Sequence, residues 1–310
     1  MKILDIKTPA YRGNLMIIAA TIIWGAGMAA QSAGMGYVSP FTFNAARFFI
    51  GGTMALGPAL VFLKRQKSIL HGNNRPADIS KLTLVAGIIC GVVLSIAINL
   101  QQFGLVFTTV ANASFITALY VIMVPIACLI IFKKKAPVFV WIGVAVAMAG
   151  IYFLSLSEGL NVNIGDLLVF LCAIAFTAQI IIISHFSPKH NVLALACVQF
   201  YTVFAISIIL AFIFENPSIT DLVAAGPYVL YTGVLSSGVA YILQMKAQKT
   251  TDPTVAAVLF SFEGVVATFT GWIVLSQLLT PREIFGCALI FLAILLAQIP
   301  GRRLLGANRN

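Results

Sequence analysis

Ten long apolar stretches divide this chain, and lysine and arginine collect in every second gap between them. The stretches lie near 14–34, 40–63, 82–102, 109–132, 137–156, 164–185, 191–214, 223–245, 253–275 and 284–300. Each supplies about the ~20 residues that a helix needs to cross the hydrocarbon core of a bilayer. The runs are continuously apolar rather than alternating, which selects helices over a barrel. Only 9% of the residues are charged, against about a quarter in a soluble domain. The fold class expected is an all-α membrane protein of ten transmembrane helices.

The charges orient those helices. Gaps of one parity hold seventeen of the nineteen Lys and Arg residues, including the run Lys133, Lys134, Lys135. The other parity holds Arg282 beside Glu158, Asp166, Glu215, Asp221 and Glu283. Basic residues near span ends stay on the cytoplasmic side, so both termini are expected there. The net charge of +10 is thus topogenic, and nucleic acid is not an expected partner. The first span follows Lys2 and Lys7 but exceeds the apolar core of a signal peptide, and reads as uncleaved. Cys90, Cys128, Cys172, Cys197 and Cys287 lie inside spans without a CxxC spacing. They read as packing residues, with no metal site or cofactor expected.

Five spans, an acidic loop at 157–164 and five more spans give two halves of odd span number, which therefore point oppositely. Gly13-Asn14-Leu15 and Gly165-Asp166-Leu167 open spans 1 and 6 at an offset of 152, which also sets Trp24 opposite Phe176. Thr108-Thr109 and Thr250-Thr251 precede spans 4 and 9 at an offset of 142. These matches point to an internal duplication.

Several short motifs carry a family likeness. They are Trp24-Gly25 in span 1, then Ser39-Pro40 and Ala46-Arg47-Phe48 in span 2. Ala111-Asn112-Ala113-Ser114-Phe115 runs on to Val124-Pro125 in span 4. Ala256-Ala257 and Phe262-Glu263-Gly264 lie in span 9, and Thr280-Pro281-Arg282-Glu283 with Gly286 in span 10. In this order they resemble the drug/metabolite transporter superfamily, in its EamA-type branch. The resemblance implies two inverted five-helix repeats, 1–156 and 164–300, with a cytoplasmic tail at 301–310. It implies a central cavity enclosed by helices 1–4 and 6–9, with helices 5 and 10 peripheral. It also implies small-metabolite substrates, amino acids among them, and export across a bacterial inner membrane. The chain departs from the family where Gly264 replaces a proline, and where Lys133-Lys134 and Ser276-Gln277 replace Gly-Glu pairs.

Polar groups at membrane depth need a partner or a water-filled cavity. Glu263 lies about 15 Å into span 9 and Arg47 about 10 Å into span 2, by the helical rise. Glu263 suits a substrate amine, a transported proton or a structural bond. Arg47 suits a substrate carboxylate, through its planar fork, or a structural gate. Trp24, Asn44, Asn99, Asn112, Tyr120, Phe176, Gln179, Gln199, Tyr201, Tyr241 and Gln244 complete the candidate substrate-binding set, with Gln31, Thr117 and Ser236 as further polar groups of spans 1, 4 and 8. Gln101 and Gln102 fall toward the outer interface and are weaker candidates. Pro58, Pro125 and Gly264 are candidate kinks. Gly87 and Gly91 form a GxxxG packing face.

Aromatic side chains with sparse polar groups suit a neutral or zwitterionic molecule with an apolar part. A polyphosphate would need more basic groups than Arg47 alone. No Walker loop, HExxH or GxSxG occurs, so no enzyme activity is expected. The expected partners are a small-molecule substrate and the lipid bilayer, with monomer and homodimer both open. The functions weighed are a metabolite exporter, a proton-coupled drug or organic-cation antiporter, and a non-transporting scaffold.

Overall fold

The computed structural model describes residues 8–69, 81–108, 110–155, 163–275 and 280–299, and among these the regular structure is helical throughout. The first half comprises α1 (Pro9–Gly34), α2 (Pro40–Ile69), α3 (Lys81–Gly104), α4 (Val110–Thr117), α5 (Tyr120–Phe132) and α6 (Val138–Ser155). The second comprises α7 (Ile164–Phe186), α8 (Val192–Phe214), α9 (Ile219–Ala224), α10 (Gly226–Tyr231), a π-helical segment (Thr232–Ala240), α11 (Tyr241–Ala247), α12 (Pro253–Phe260), α13 (Phe262–Leu275) and α14 (Pro281–Ala297). Joined across their breaks, these make the ten expected spans. Seven described helical stretches are long and apolar enough to cross a membrane by length and composition, and Val138–Phe153 is a shorter apolar one. Span 8 starts at Gly226 rather than near 223, because α9 forms a separate turn of helix capped by Ser218.

The surface is apolar where a soluble protein would be polar. Ile130, Phe212 and Phe214 are 71%, 72% and 70% exposed. Hydrocarbon rather than water suits such residues, and in hydrocarbon the backbone must satisfy its own hydrogen bonds, as these helices do.

The duplication is visible in how the spans break. α5 begins at Tyr120 and α13 at Phe262, 142 residues apart, the offset of the two threonine pairs. In each break the backbone tightens to i→i−3 bonds, such as Leu119 N–H to the Ile116 carbonyl (3.1 Å) and Ser261 N–H to the Val258 carbonyl (3.2 Å). The breaks therefore sit at 118–119 and at Ser261, while α5 continues through Pro125 and α13 through Gly264. Pro58 likewise lies inside α2. Local hydrogen-bond tightening sets the interruptions, and the prolines do not.

Packing follows the same exchange of halves. α1 lies against α11 and the π segment and against α12 and α13, while α7 lies against α3 and against α4 and α5. α2 packs on α8, and α6 pairs with α14. Gly87 and Gly91 of α3 face Val198 and Thr202 of α8, so the GxxxG face joins the two halves. Charges separate to the two ends of the bundle. At the basic end Lys134 pairs with Asp252 at 3.3 Å, and Thr250 Oγ1 donates to the Pro9 carbonyl at 3.1 Å. At the acidic end Glu215 accepts from Phe41 N–H (2.8 Å), Thr42 N–H (2.9 Å) and Thr42 Oγ1 (2.7 Å), capping α2 from α8. Asp166 closes a capping box with Asn163 there and accepts from Thr108 Oγ1 at 2.6 Å.

Candidate functional site

Between the halves lies a cavity lined by residues of both repeats, among them Trp24, Arg47, Tyr120, Phe176, Tyr241 and Glu263. Its aromatic wall is anchored by Trp24. The indole Nε1–H donates to the Ser236 carbonyl of the π segment at 3.2 Å. Its ring meets Tyr241 at 4.9 Å and Phe260 at 5.7 Å, and Tyr120 adds an edge to Phe260 at 6.3 Å. Phe176, which the offset of 152 pairs with Trp24, also lines the cavity. Gly25 permits this arrangement: a Cβ built there would lie 2.7 Å from the Glu263 carbonyl, so α1 meets α13 backbone to backbone.

Two opposite charges face this space. Arg47 is 2% exposed. Its Nη1 donates to Gln31 Oε1 at 2.8 Å, its guanidinium carbon lies 5.1 Å from the centre of the Phe48 ring, and its Nε has no partner. Glu263 lines the same cavity, half-buried, and accepts no hydrogen bond from any described residue. The two form no ion pair with each other among the described residues. A charge that reaches neither water nor a counter-ion is costly at membrane depth. Arg47 is eased by the Gln31 amide oxygen and the faces of Phe43 and Phe48.

Gln179 and Gln244 complete the polar lining from the candidate set, joined by Gln244 Nε2 donating to Gln179 Oε1 at 3.1 Å. Eight of the thirteen sequence candidates thus converge on one cavity: Trp24, Arg47, Tyr120, Phe176, Gln179, Tyr241, Gln244 and Glu263.

The others go elsewhere. Asn44 Nδ2 donates to Asn99 Oδ1 (2.8 Å) and to the Ile98 carbonyl (3.3 Å), and Asn99 reaches Ser95 and Ser207. This buried clamp ties α2, α3 and α8 together away from the cavity. Asn44 and Arg47 are three residues apart, about 60° round the helix, enough to meet different neighbours. Gln199 is buried with both amide atoms unpaired and does not line the cavity. Tyr201 stands over Gly52 and shares a 3.3 Å bond with Thr53 on the outer face of α8. The side chain of Asn112 lies outside the described residues.

Sequence reasoning missed Met28, Ile180 and Phe260 as lining residues, noted Gln31, Thr117 and Ser236 only as further polar groups of their spans, and undervalued Gln101. Gln101 and Gln102 are 7% and 0% exposed, so both are interior rather than interfacial. Depth along a span was readable, but which way the face turned was not. Gln31, three residues before the end of α1, carried a usable signal, an amide in the outer half of an apolar helix.

The chain matches the model of the EamA-like transporter family over residues 11–156 and 163–298. An uncharacterized transporter of Archaeoglobus fulgidus is 32% identical over 286 residues, 92% of this chain and 85% of that protein. The uncharacterized transporter YoaV of Bacillus subtilis is 24% identical over 89% of this chain and 93% of its own length. A crystal structure of a protein 20% identical to this one superposes with a TM-score of 0.76 over 94% of this chain and 98% of that chain, which speaks for the fold alone. The paired broken spans, the cavity between two halves and the twofold match lead to one assignment: the chain belongs to the EamA-like transporter family.

Proposed function

We propose that this membrane transporter is a secondary transporter for zwitterionic, partly apolar metabolites of the amino-acid type, neutral or aromatic, and that it exports them. The observation that carries this reading is the pair of opposite charges, Arg47 and Glu263, on one aromatic-walled cavity without an ion pair between them. A carboxylate fits the Arg47 guanidinium, whose planar fork favours bidentate contact. An ammonium fits Glu263, and the rings of Trp24, Tyr241 and Phe260 offer it further attraction through their π faces. The apolar remainder of the substrate packs on Phe176, Met28 and Ile180. Outward transport and a bacterial inner membrane rest on the family resemblance, and cytoplasmic termini on the distribution of basic residues.

Alternating exposure of one fixed site to the two faces is the mechanism that such repeats suit. The test is counterflow in proteoliposomes across matched zwitterions, simple amines, simple carboxylates and phosphorylated analogues. Zwitterions should exchange fastest, and a preference for phosphorylated compounds would overturn the reading. A second reading, proton-coupled export of organic cations, is favoured by Glu263 accepting no hydrogen bond among the described residues. It requires that Glu263→Gln abolish pH-driven uptake into vesicles, and transport with unchanged pH dependence would dismiss it.

A further inference from the structure

Buried glutamines tie helices beside the cavity toward each end of the bundle, and the two ties correspond. At the acidic end Gln102, near the end of α3, donates Nε2 to the Gln31 carbonyl near the end of α1 at 3.5 Å. At the basic end Gln248, which follows α11, donates Nε2 to the Ile180 carbonyl of α7 at 3.0 Å and to Ser184 Oγ at 2.9 Å. In each case the third span of a half is tied to the first span of that half. The acceptor carbonyls lie within one helical turn of the positions that the offset of 152 relates. Both glutamines are buried, at 0% and 2% exposure, and both keep a buried Oε1 with no partner.

We infer that Gln102 and Gln248 are the two gate latches of the transport cycle, one for each end of the cavity. Three features support this over a purely structural role. First, each latch ends on a residue of the cavity itself. Gln31 also holds Arg47, and Ile180 lies beside Gln179, which binds Gln244. Second, each closed latch leaves an acceptor unsatisfied, which water entering an opened gate would supply, so the closed state is not over-stabilised. Third, the closures are unequal. The acidic-end bonds, 3.5 Å for Gln102 and 3.4 Å from Gln101 Nε2 to Thr117 Oγ1, are longer than the 2.9–3.1 Å bonds of the basic end. The resting protein should therefore open more readily at its acidic end.

The inference concerns access and holds for any substrate, so its failure would leave the zwitterion reading intact. The test uses the full chain with a reporter thiol in the cavity, Ser236→Cys, in membrane vesicles of either orientation. An impermeant thiosulfonate is applied from one face at a time, and labelling of the chain without the reporter is subtracted. Gln→Met keeps the side-chain length and removes the donor. Gln102→Met should raise labelling from the acidic face about fivefold, the shift expected from one lost net hydrogen bond, and Gln248→Met should raise it from the basic face about thirtyfold, from two. Opening of the same face by both variants, or of neither face by either, overturns the inference. Should a Met variant fail to fold, a reversible cross-link between Ser184→Cys and Gln248→Cys, formed before the reporter is labelled, gives the second measurement. It should abolish labelling from the basic face and spare the acidic face. Undiminished labelling from the basic face would overturn the inference.

Discussion

Replacing Arg47 by lysine tests the carboxylate site at constant charge. In the wild-type chain one guanidinium nitrogen is committed to Gln31 Oε1 at 2.8 Å, and the plane lies over Phe48 at 5.1 Å. Its Nε has no hydrogen-bond partner among the described residues, so the guanidinium keeps donors for a carboxylate. An ammonium on a flexible stem cannot hold Gln31 and present a flat fork together, so at least one charge-assisted bond to the substrate is lost. Such a bond contributes about 1.5–3 kcal/mol, which corresponds to roughly tenfold to 150-fold in affinity. The assay is competition counterflow with three ligands of one side chain: the amino acid, its carboxamide and the decarboxylated amine. Arg47→Lys should weaken the amino acid by that factor and the other two by less than about threefold. Glu263→Gln should give a different ranking, with the amine hit hardest. Equal losses for all three ligands in Arg47→Lys would refute the assignment and make Arg47 a structural residue.

Three further outcomes follow from the packing. Glu215→Gln puts an amide donor against the N–H groups that now point at a carboxylate, and should lower stability by about 1–3 kcal/mol; an unchanged melting temperature in detergent would show that the cap of α2 does not depend on Glu215. Gly25→Ala would set a Cβ 2.6 Å from Val266 Cβ and 2.7 Å from the Glu263 carbonyl, and should cost about 1–3 kcal/mol by overpacking. Gly57→Ala, with nothing within 4 Å of its added Cβ, is the matched control, and should be neutral or stabilising by about 0.5–1 kcal/mol. In the turn between α7 and α8, burial and then the neighbouring Lys189 charge push the His190 imidazole below its ordinary value, and Thr83 Oγ1 bonds its Nδ1 at 2.9 Å. The folded state therefore favours neutral His190. The stability it contributes is present above the ordinary histidine range and is lost as the pH falls through and below it. Melting curves across that range should show a small acid loss that His190→Gln removes; the same slope in both chains would rule out His190 as its source.

The candidate site was half legible in the sequence. Arg47 and Glu263 could be found because a full charge in an apolar run is conspicuous whatever the fold. Trp24 and Phe176 could be paired from the duplication offset. Asn44, Asn99, Gln199 and Tyr201 were as polar and as deep as the true lining residues, yet face neighbouring helices or the outer surface. Nothing in a one-dimensional record distinguishes an amide that points at a ligand from one that points at the next helix.

The sequence by itself determined the medium, the number of spans, the end that carries the basic charge and the existence of two related halves. Those follow from quantities that add along the chain: apolar length, charge position and the parity of five. Tertiary structure alone decided the rest. It turned Gln31 and Gln101 into the site and Asn44 out of it, and broke spans 4 and 9 at 118–119 and Ser261 rather than at Pro125 or Gly264. It also tied Gln102 to α1 and Gln248 to α7. The physical reason is rotation. Rise along a helix is fixed at about 1.5 Å per residue and can be counted, whereas the direction a side chain faces depends on which helices pack beside it. In a nearly uniform apolar sequence, that choice is made by close-approach glycines such as Gly25 and by buried hydrogen bonds between residues more than fifty positions apart.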